Sequence, residues 1–286
     1  MKFYARKPGH DLARWIDKLW ICEGYRPSHQ LESKLPDASM AWIINLQEDR
    51  IRVFERNRMD RSMILPGCII AGPRSSSYYL DTVCQESCLG IQFKPGGALP
   101  FLGKWVGELQ DVDVPLEHAL NRYSHVADLR ERLQEATMAE ERLQLVEQYL
   151  LRYLEQKIVV PKGHPAVAYA LRMIENSPAT SPSIERIADM ANLSAERFIR
   201  VFKAEVGMTP KNYANVMRFQ FAVRMMRQAR AKPGINLALS SGYYDQSHMY
   251  REFLKYANMT PAELFSRPLI YEKHIPVSRA DGQQTV

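Results

Sequence analysis

The chain has 286 residues, 46% of them hydrophobic and 24% charged, with a formal net charge of +6. That length and apolar content suit about two packed domains and exclude a wholly disordered chain, and no apolar run approaches the ~20 residues of a membrane-spanning helix. The charge is uneven: residues 161–286 hold 17 Lys+Arg against 10 Asp+Glu, whereas residues 1–160 hold 21 against 22, the distribution of a basic nucleic-acid-binding half joined to a neutral one.

In chain order, the opening MKFYARKPGHDLARW is charged and lacks the apolar centre of a signal peptide. Four cysteines in so long a chain are no disulfide framework, so a reducing cytoplasm is the expected location. Residues up to about 110 read as mostly β. AWIINL and IRVF flank the polar turn QEDR, and SSSYYLDTVC and CLGIQF flank QES. Gly and Pro punctuate the stretch in PGC, AGPR and KPGGALP, and short strands at such spacing predict a small barrel or sandwich.

From Val114 the composition turns helical, through residue 157. Val126, Leu129 and Leu133 share one face, and Val146, Leu150 and Leu154 another, with Tyr149 and Tyr153 beside them. Such faces either cover the β domain or form a dimer seam, and neither sustains the heptads of a coiled coil. VVPKGHPA follows, with two prolines and a glycine in eight residues, and marks a linker over 158–164. Every segment beyond it reads as helical.

VGMTPKNY and ANMTPAEL put Thr209 and Thr260 51 positions apart. At that offset Arg200 falls on Arg251, Phe202 on Phe253, Phe198 on Met249, Ala191 on Gly242 and Ile184 on Ile235. Ser194 falls on Asp245, and both are good N-cap residues. One unit is therefore written twice. Its first helix carries Ile184, Ile187 and Ala188. A turn follows, with Leu193 at the corner, and a second helix buries Phe198, Val201 and Phe202. Gly207 ends that helix, as Asn258 does in the second copy. Two helices about a short turn make a helix-turn-helix. In each MTP, Thr caps and Pro opens the next helix, and Thr260 with Glu263 spells a capping box. After the first copy this helix is predicted over Pro210–Ala229. Twenty residues span ~30 Å, close to the ~34 Å of one DNA turn.

At this point a family resemblance is plain. Residues 165–266 resemble the DNA-binding domain of AraC/XylS transcription regulators. The first signature is carried by Ser194, Phe198, Arg200, Phe202, Lys203, Gly207, Thr209, Pro210, Tyr213, Arg218 and Ala222, and the second by SSGYYDQSHMYREFLKYANMTPAEL. Met249 stands where the family usually has Phe, Asn258 where it has Gly, and Leu264 and Phe265 replace the usual Tyr-Arg. LPDASMAWIINL, AGPRSS and IQFKPGGALPFLG resemble a β-rich domain that precedes this one in a poorly characterised branch. It implies a sensor or dimerisation role.

The resemblance places base-reading positions at Glu196, Ile199 and Arg200 in the first unit and at Gln246, Ser247, His248, Tyr250 and Arg251 in the second. Their chemistry suits base edges: Arg for guanine, Gln for adenine, Glu for cytosine, Ile for a thymine methyl. For Arg200 and Arg251 the competing role is a bridge to the domain's own carboxylates. Arg197, Lys203, Lys211 and Lys255 are expected on phosphates, against plain solvated charge. Trp15, Trp20, Trp42, Tyr25 and Phe93 are candidates for a ligand pocket, with aromatic core as the alternative. Cys84 and Cys88 bracket QES, where a hairpin would bring two thiols together; ordinary buried strand cysteines are the competing reading. KPGGALP lacks the spacing of a phosphate loop, the histidines show no metal spacing, and no nucleophile–base set is legible.

The sequence thus predicts an α+β chain. An N-terminal sensor or dimerisation domain covers 1–157, β-rich to about 110 and helical over 114–157. A linker covers 158–164, an AraC-type DNA-binding domain of two helix-turn-helix units covers 165–267, and a tail covers 268–286. The expected function is a DNA-binding transcription regulator and not an enzyme, with no cofactor or metal. Its expected partners are double-stranded DNA, RNA polymerase, a small-molecule effector and a second copy in a homodimer, with no membrane. The rival is an enzyme, such as a cysteine alkyl acceptor, fused to a DNA-targeting module.

Overall fold

Alternation along the first part of the chain becomes two antiparallel sheets. The computed structural model describes residues 1–54, 60–120, 125–180, 183–229, 233–271 and 273–277. In chain order the strands are β1 (Lys2–Arg6), β2 (Ile16–Glu23), β3 (Leu31–Lys34), β4 (Ala41–Asn45), β5 (Ile51–Phe54), β6 (Ser62–Leu65), β7 (Cys68–Ala71), β8 (Tyr78–Asp81), β9 (Ser87–Phe93), β10 (Asp113–Pro115) and β11 (His274–Val277). One sheet runs β1-β2-β9-β4-β7-β10 and the other β11-β3-β8-β5-β6. The β-rich region is therefore a two-layer sandwich. AWIINL and IRVF are strands β4 and β5, but they lie in different sheets. QEDR carries the chain from one layer to the other and closes no hairpin. QES does likewise between β8 and β9, after a 3-10 turn at Val83–Gln85.

Helices α1 (Leu99–Leu102), α2 (Leu116–Ala119), α3 (Val126–Glu135) and α4 (Ala139–Glu155) cover the outer face of the first sheet. Trp42, Ile44, Leu89, Ile91 and Phe101 pack there against Leu129, Leu133, Val146 and Leu150. The amphipathic faces legible in the sequence are thus buried within their own half, and no dimer seam is left on them. Arg142 ties α4 to Glu23 on β2, and Arg6 on β1 reaches Glu147 at 2.8 Å.

The second half is helical: α5 (Pro165–Asn176), α6 (Ile184–Met190), α7 (Ala195–Val206), α8 (Pro210–Ala229), α9 (Ile235–Ser240), α10 (Gln246–Ala257) and α11 (Pro261–Ser266). The starts of α9, α10 and α11 fall 51 residues after those of α6, α7 and α8. Phe198, Phe202, Tyr213, Phe219, Phe253 and Tyr256 fill one shared core. Phe219 meets the Phe253 ring edge-on at 5.0 Å, and Phe202 meets Tyr213 at 5.8 Å.

The halves are joined at several places. Leu35 and Ala38, from the loop after β3, are buried in the helical core. The chain beyond α11 returns to the sandwich, where β11 pairs with β3 in the register His274 to Lys34 and Val277 to Leu31. In HIPV the buried Ile275 and Val277 alternate with the half-buried His274 and Pro276, and a proline is accommodated on an edge strand. Of the expected tail, residue 272 and residues 278–286 lie outside the described residues.

Candidate nucleic-acid interface and adjoining cavity

Each reading helix is fixed by its own caps. Ser194 Oγ accepts from the Arg197 backbone N–H (3.2 Å), and Asp245 Oδ1 from that of His248 (2.6 Å). At the other ends Gly207 (φ 87) and Asn258 (φ 54) take the left-handed conformation that stops a helix. Thr209 Oγ1 caps α8 by accepting from the Asn212 N–H at 3.2 Å, and Thr260 with Glu263 forms the predicted capping box. The duplication slips by one residue at the turns: the left-handed residue is Asn192 (φ 52) in the first unit and Gly242 (φ 79) in the second. A Cβ on Gly242 would lie 2.1 Å from the Ala179 carbonyl oxygen, so this turn requires glycine.

These caps turn the expected residues outward to different degrees. Glu196, Arg200, Gln246, Ser247 and Arg251 are exposed, whereas Ile199, His248 and Tyr250 are half-buried. The His248 ring stands edge-on to Tyr243 at 5.3 Å, and Tyr250 packs against the helical core. Among the described residues Arg200 and Arg251 form no salt bridge. The internal bridge is instead Arg218 on α8 with the buried Glu252 on α10 (3.1 Å). Arg197, Lys203, Lys211 and Lys255 are all exposed. The two units hang on α8, a rod of twenty residues and ~30 Å.

The proposed pocket aromatics divide. Trp42 stacks edge-on with Phe93 (5.5 Å) and Phe101 (5.8 Å), and Trp15 with Phe101 (5.9 Å). Trp15, Trp42 and Phe93 therefore belong to the packed core between sheet and helices. Trp20 and Tyr25 do line a cavity, one of about 180 Å³ between the two sheets. The strands of the first sheet are two-faced. Leu89, Ile91 and Phe93 point to the helices, while Cys88, Gly90 and Gln92 point between the sheets. Sequence reading missed this. The signal was an alternation in CLGIQF of large apolar residues with small or polar ones, which reads as core against solvent but is here core against cavity.

The cysteine pair does not meet the enzyme reading. Cys84 sits on the 3-10 turn and Cys88 on β9, opposite Cys22 of β2. Burial pushes both the Cys84 and the Cys88 thiol up. The thiolate is the nucleophile, so the pair offers no activated one, and the four cysteines are free. Among the described residues no cluster of His, Cys, Asp and Glu could hold a metal ion, and no helix is long and apolar enough to cross a membrane.

A buried polar knot joins the last strand to the sandwich. Glu32 on β3 accepts from Tyr25, from His29 at 2.8 Å and from His274 of β11 at 2.7 Å. Burial pushes the Glu32 carboxyl up, but these three donors outweigh it and hold it at about 2. Burial also keeps His274 below its ordinary value, so a neutral imidazole donates to the carboxylate.

Two known families match separate stretches of the chain. The helix-turn-helix domain family matches residues 187–267, and a domain of unknown function (DUF6597) matches residues 4–115. An uncharacterized HTH-type transcriptional regulator of Haemophilus influenzae is 27% identical over 121 residues, 40% of either chain. A Streptomyces lividans protein named as an AraC-like transcription regulator is 32% identical over 104 residues, 36% of this chain and 34% of that one. The chain thus spans about a third to two fifths of the length of these curated relatives. A structure of ToxT from Vibrio cholerae is 11% identical over 92% of this chain and 94% of that one, with a TM-score of 0.44.

Proposed function

From the AraC-type helix-turn-helix domain that residues 187–267 form, we propose that this protein is a cytoplasmic, sequence-specific transcription regulator that reads double-stranded DNA with both units of one chain. The observation that carries it is the pair of capped helices α7 and α10, equivalent at an offset of 51 residues and mounted on one α8. Glu196 and Arg200 face outward from α7, and Gln246, Ser247 and Arg251 from α10. Residues near the N-terminus of such a helix reach base edges in the major groove. Arg197, Lys203, Lys211 and Lys255 supply the charge that holds phosphates, and binding then weakens steeply with salt. The sandwich half is the sensing part, its effector lodged between the sheets, and the regulator acts on transcription through RNA polymerase.

Selection of bound duplexes from a random pool, using the full chain, tests this reading. It expects two unlike short blocks at a fixed separation. A pool that returns no enriched sequence, or enrichment unaffected when Arg200 and Arg251 are both changed to Ala, overturns it.

A further inference from the structure

The cavity between the sheets has a chemical bias, and three of its walls also hold the DNA-reading half. Sheets pack about 10 Å apart and normally fill that gap with interdigitating side chains. Here the first sheet presents Ala41, Ala71, Cys22 and Cys88 inward, too small to fill it. A Cβ on Gly90 would stand 2.1 Å from the Trp20 indole, so this glycine lets the ring lie flat across β9. The floor is a flat aromatic plate, with Ile43, Ile69, Val53 and Leu80 among the apolar walls. At about 180 Å³ the cavity has room for roughly a dozen water-sized atoms.

The end nearest the helical half is charged. Lys34, Arg74 and Lys273 meet there with Asp37 and Asp113. Lys273 pairs with Asp37 at 2.8 Å, and Arg74 with Asp113. Lys34 has no carboxylate within salt-bridge reach among the described residues and lies 5.8 Å above the Tyr78 ring. Burial works against its charge, but Tyr78 and Asp37 outweigh that and keep it an ammonium. Three cations thus face two carboxylates, an excess of one positive charge. Arg74 Nε and Asp113 Oδ1, both buried in this wall, make no hydrogen bond among the described residues. The Asp113 side chain is only 5% exposed.

The same end belongs to both halves. Next to Arg74, the Pro73 ring lies against Gly207 at the end of α7, and the Ser77 N–H donates to the Tyr256 carbonyl of α10 at 2.7 Å. Beyond Lys34, Leu35 and Ala38 sit in the helical core, and the Pro36 carbonyl accepts from Gln220 of α8. Tyr271, Lys273 and His274 come from the segment that follows the DNA-reading domain.

We propose that the cavity binds a small organic monoanion with a flat apolar body, its charged group against Lys34 and its body on Trp20, and that β11 with the residues before it closes the site. This rests on the sensing role given above to the sandwich half. A bound anion touches Lys34, Arg74 and Tyr271 together, so it stiffens the three segments that seat α7, α8 and α10. The bound and empty proteins then differ in how the reading helices are held.

The test uses the full chain with 2-naphthoate, and with its neutral isostere 2-naphthamide, read by quenching of tryptophan fluorescence and by hydrogen exchange of the β11 amides. The expected result is saturable 2-naphthoate binding, at least about tenfold tighter than 2-naphthamide, with slower exchange at residues 273–277. Lys34→Gln should abolish the preference for the anion, and Lys34→Arg should keep it. The isostere comparison needs no variant and stands even if Lys34→Gln fails to fold. No saturable binding, equal binding of acid and amide, or binding that leaves β11 exchange unchanged overturns the proposal. Neither readout involves DNA, so a protein that binds the anion yet selects no DNA sequence would sink the regulator reading and leave the site standing.

Discussion

Gly242→Ala should destabilise the second reading unit by about 3 kcal/mol, while Ala191→Gly, its partner at the 51-residue offset, should cost under about 1 kcal/mol. Gly242 has φ 79, a conformation that costs an L-residue roughly 1–2 kcal/mol. Its new Cβ would fall 2.1 Å from the Ala179 carbonyl oxygen, a backbone atom of the 3-10 turn Pro178–Thr180. Relieving such an overlap adds about 1–3 kcal/mol. Alanine also restricts the unfolded chain, which returns about 0.4–1 kcal/mol. Ala191 has an ordinary φ of −95, and the left-handed residue of that turn is Asn192. Urea unfolding followed by far-ultraviolet circular dichroism measures both variants. A Gly242→Ala loss below about 1 kcal/mol, or a larger loss for Ala191→Gly, would refute the claim that the two turns differ by one residue.

Asp245→Ala removes the cap of α10 and should cost about 1 kcal/mol in the same assay; selection with that variant should return the same bases, and altered bases would make Asp245 a reader. Arg200→Ala should cost about 1–3 kcal/mol of DNA affinity and relax one position of the site, whereas Lys203→Ala should weaken all sequences alike. Competition binding separates the two, and unfolding by Arg200→Ala would point to a structural role. Acid should loosen the seating of β11. Because burial lowers the His274 pKa, the released strand takes up a proton that the seated one refuses, so stability is full above about pH 6.5 and falls below it. Glu32, held at about 2, adds its own loss only as the pH falls from about 4.5 towards 2. The urea midpoint should therefore drop between about pH 7.5 and pH 5.5 in the wild type and drop less in His274→Gln; equal drops would contradict the assignment.

The helical half was legible because its signals are local. Caps at Ser194, Asp245 and Thr260, stops at Gly207 and Asn258, and Phe or Met at i, i+4 spacing each act within a few residues. The boundaries of α8 fell where Pro210 and the apolar pattern put them. The sandwich was legible as strands but not as layers. Sheet membership depends on long-range pairing, and the QEDR and QES turns look alike whether they close a hairpin or cross between sheets. The cavity was half visible. Trp20 could be suspected of lining one, but only the tertiary fold separates it from Trp42, which alternates onto the opposite face of the same sheet. The return of β11 to β3 had no local signal at all: four residues of HIPV carry no register, and Glu32 gave no hint that its partner lay 242 residues away.

The central claim is that one chain reads DNA twice at a distance set by α8. Footprinting and affinity measurement on the selected site, with and without about five extra base pairs between its two blocks, test it most directly. A rod of ~30 Å fits blocks centred about 10 base pairs apart. Half a turn of insertion puts them on opposite faces, and holding both then requires distorting the DNA at a cost of several kcal/mol. The account predicts loss of protection over one block and a fall in affinity of at least about a hundredfold. Unchanged affinity with both blocks protected would show that α8 does not set the spacing.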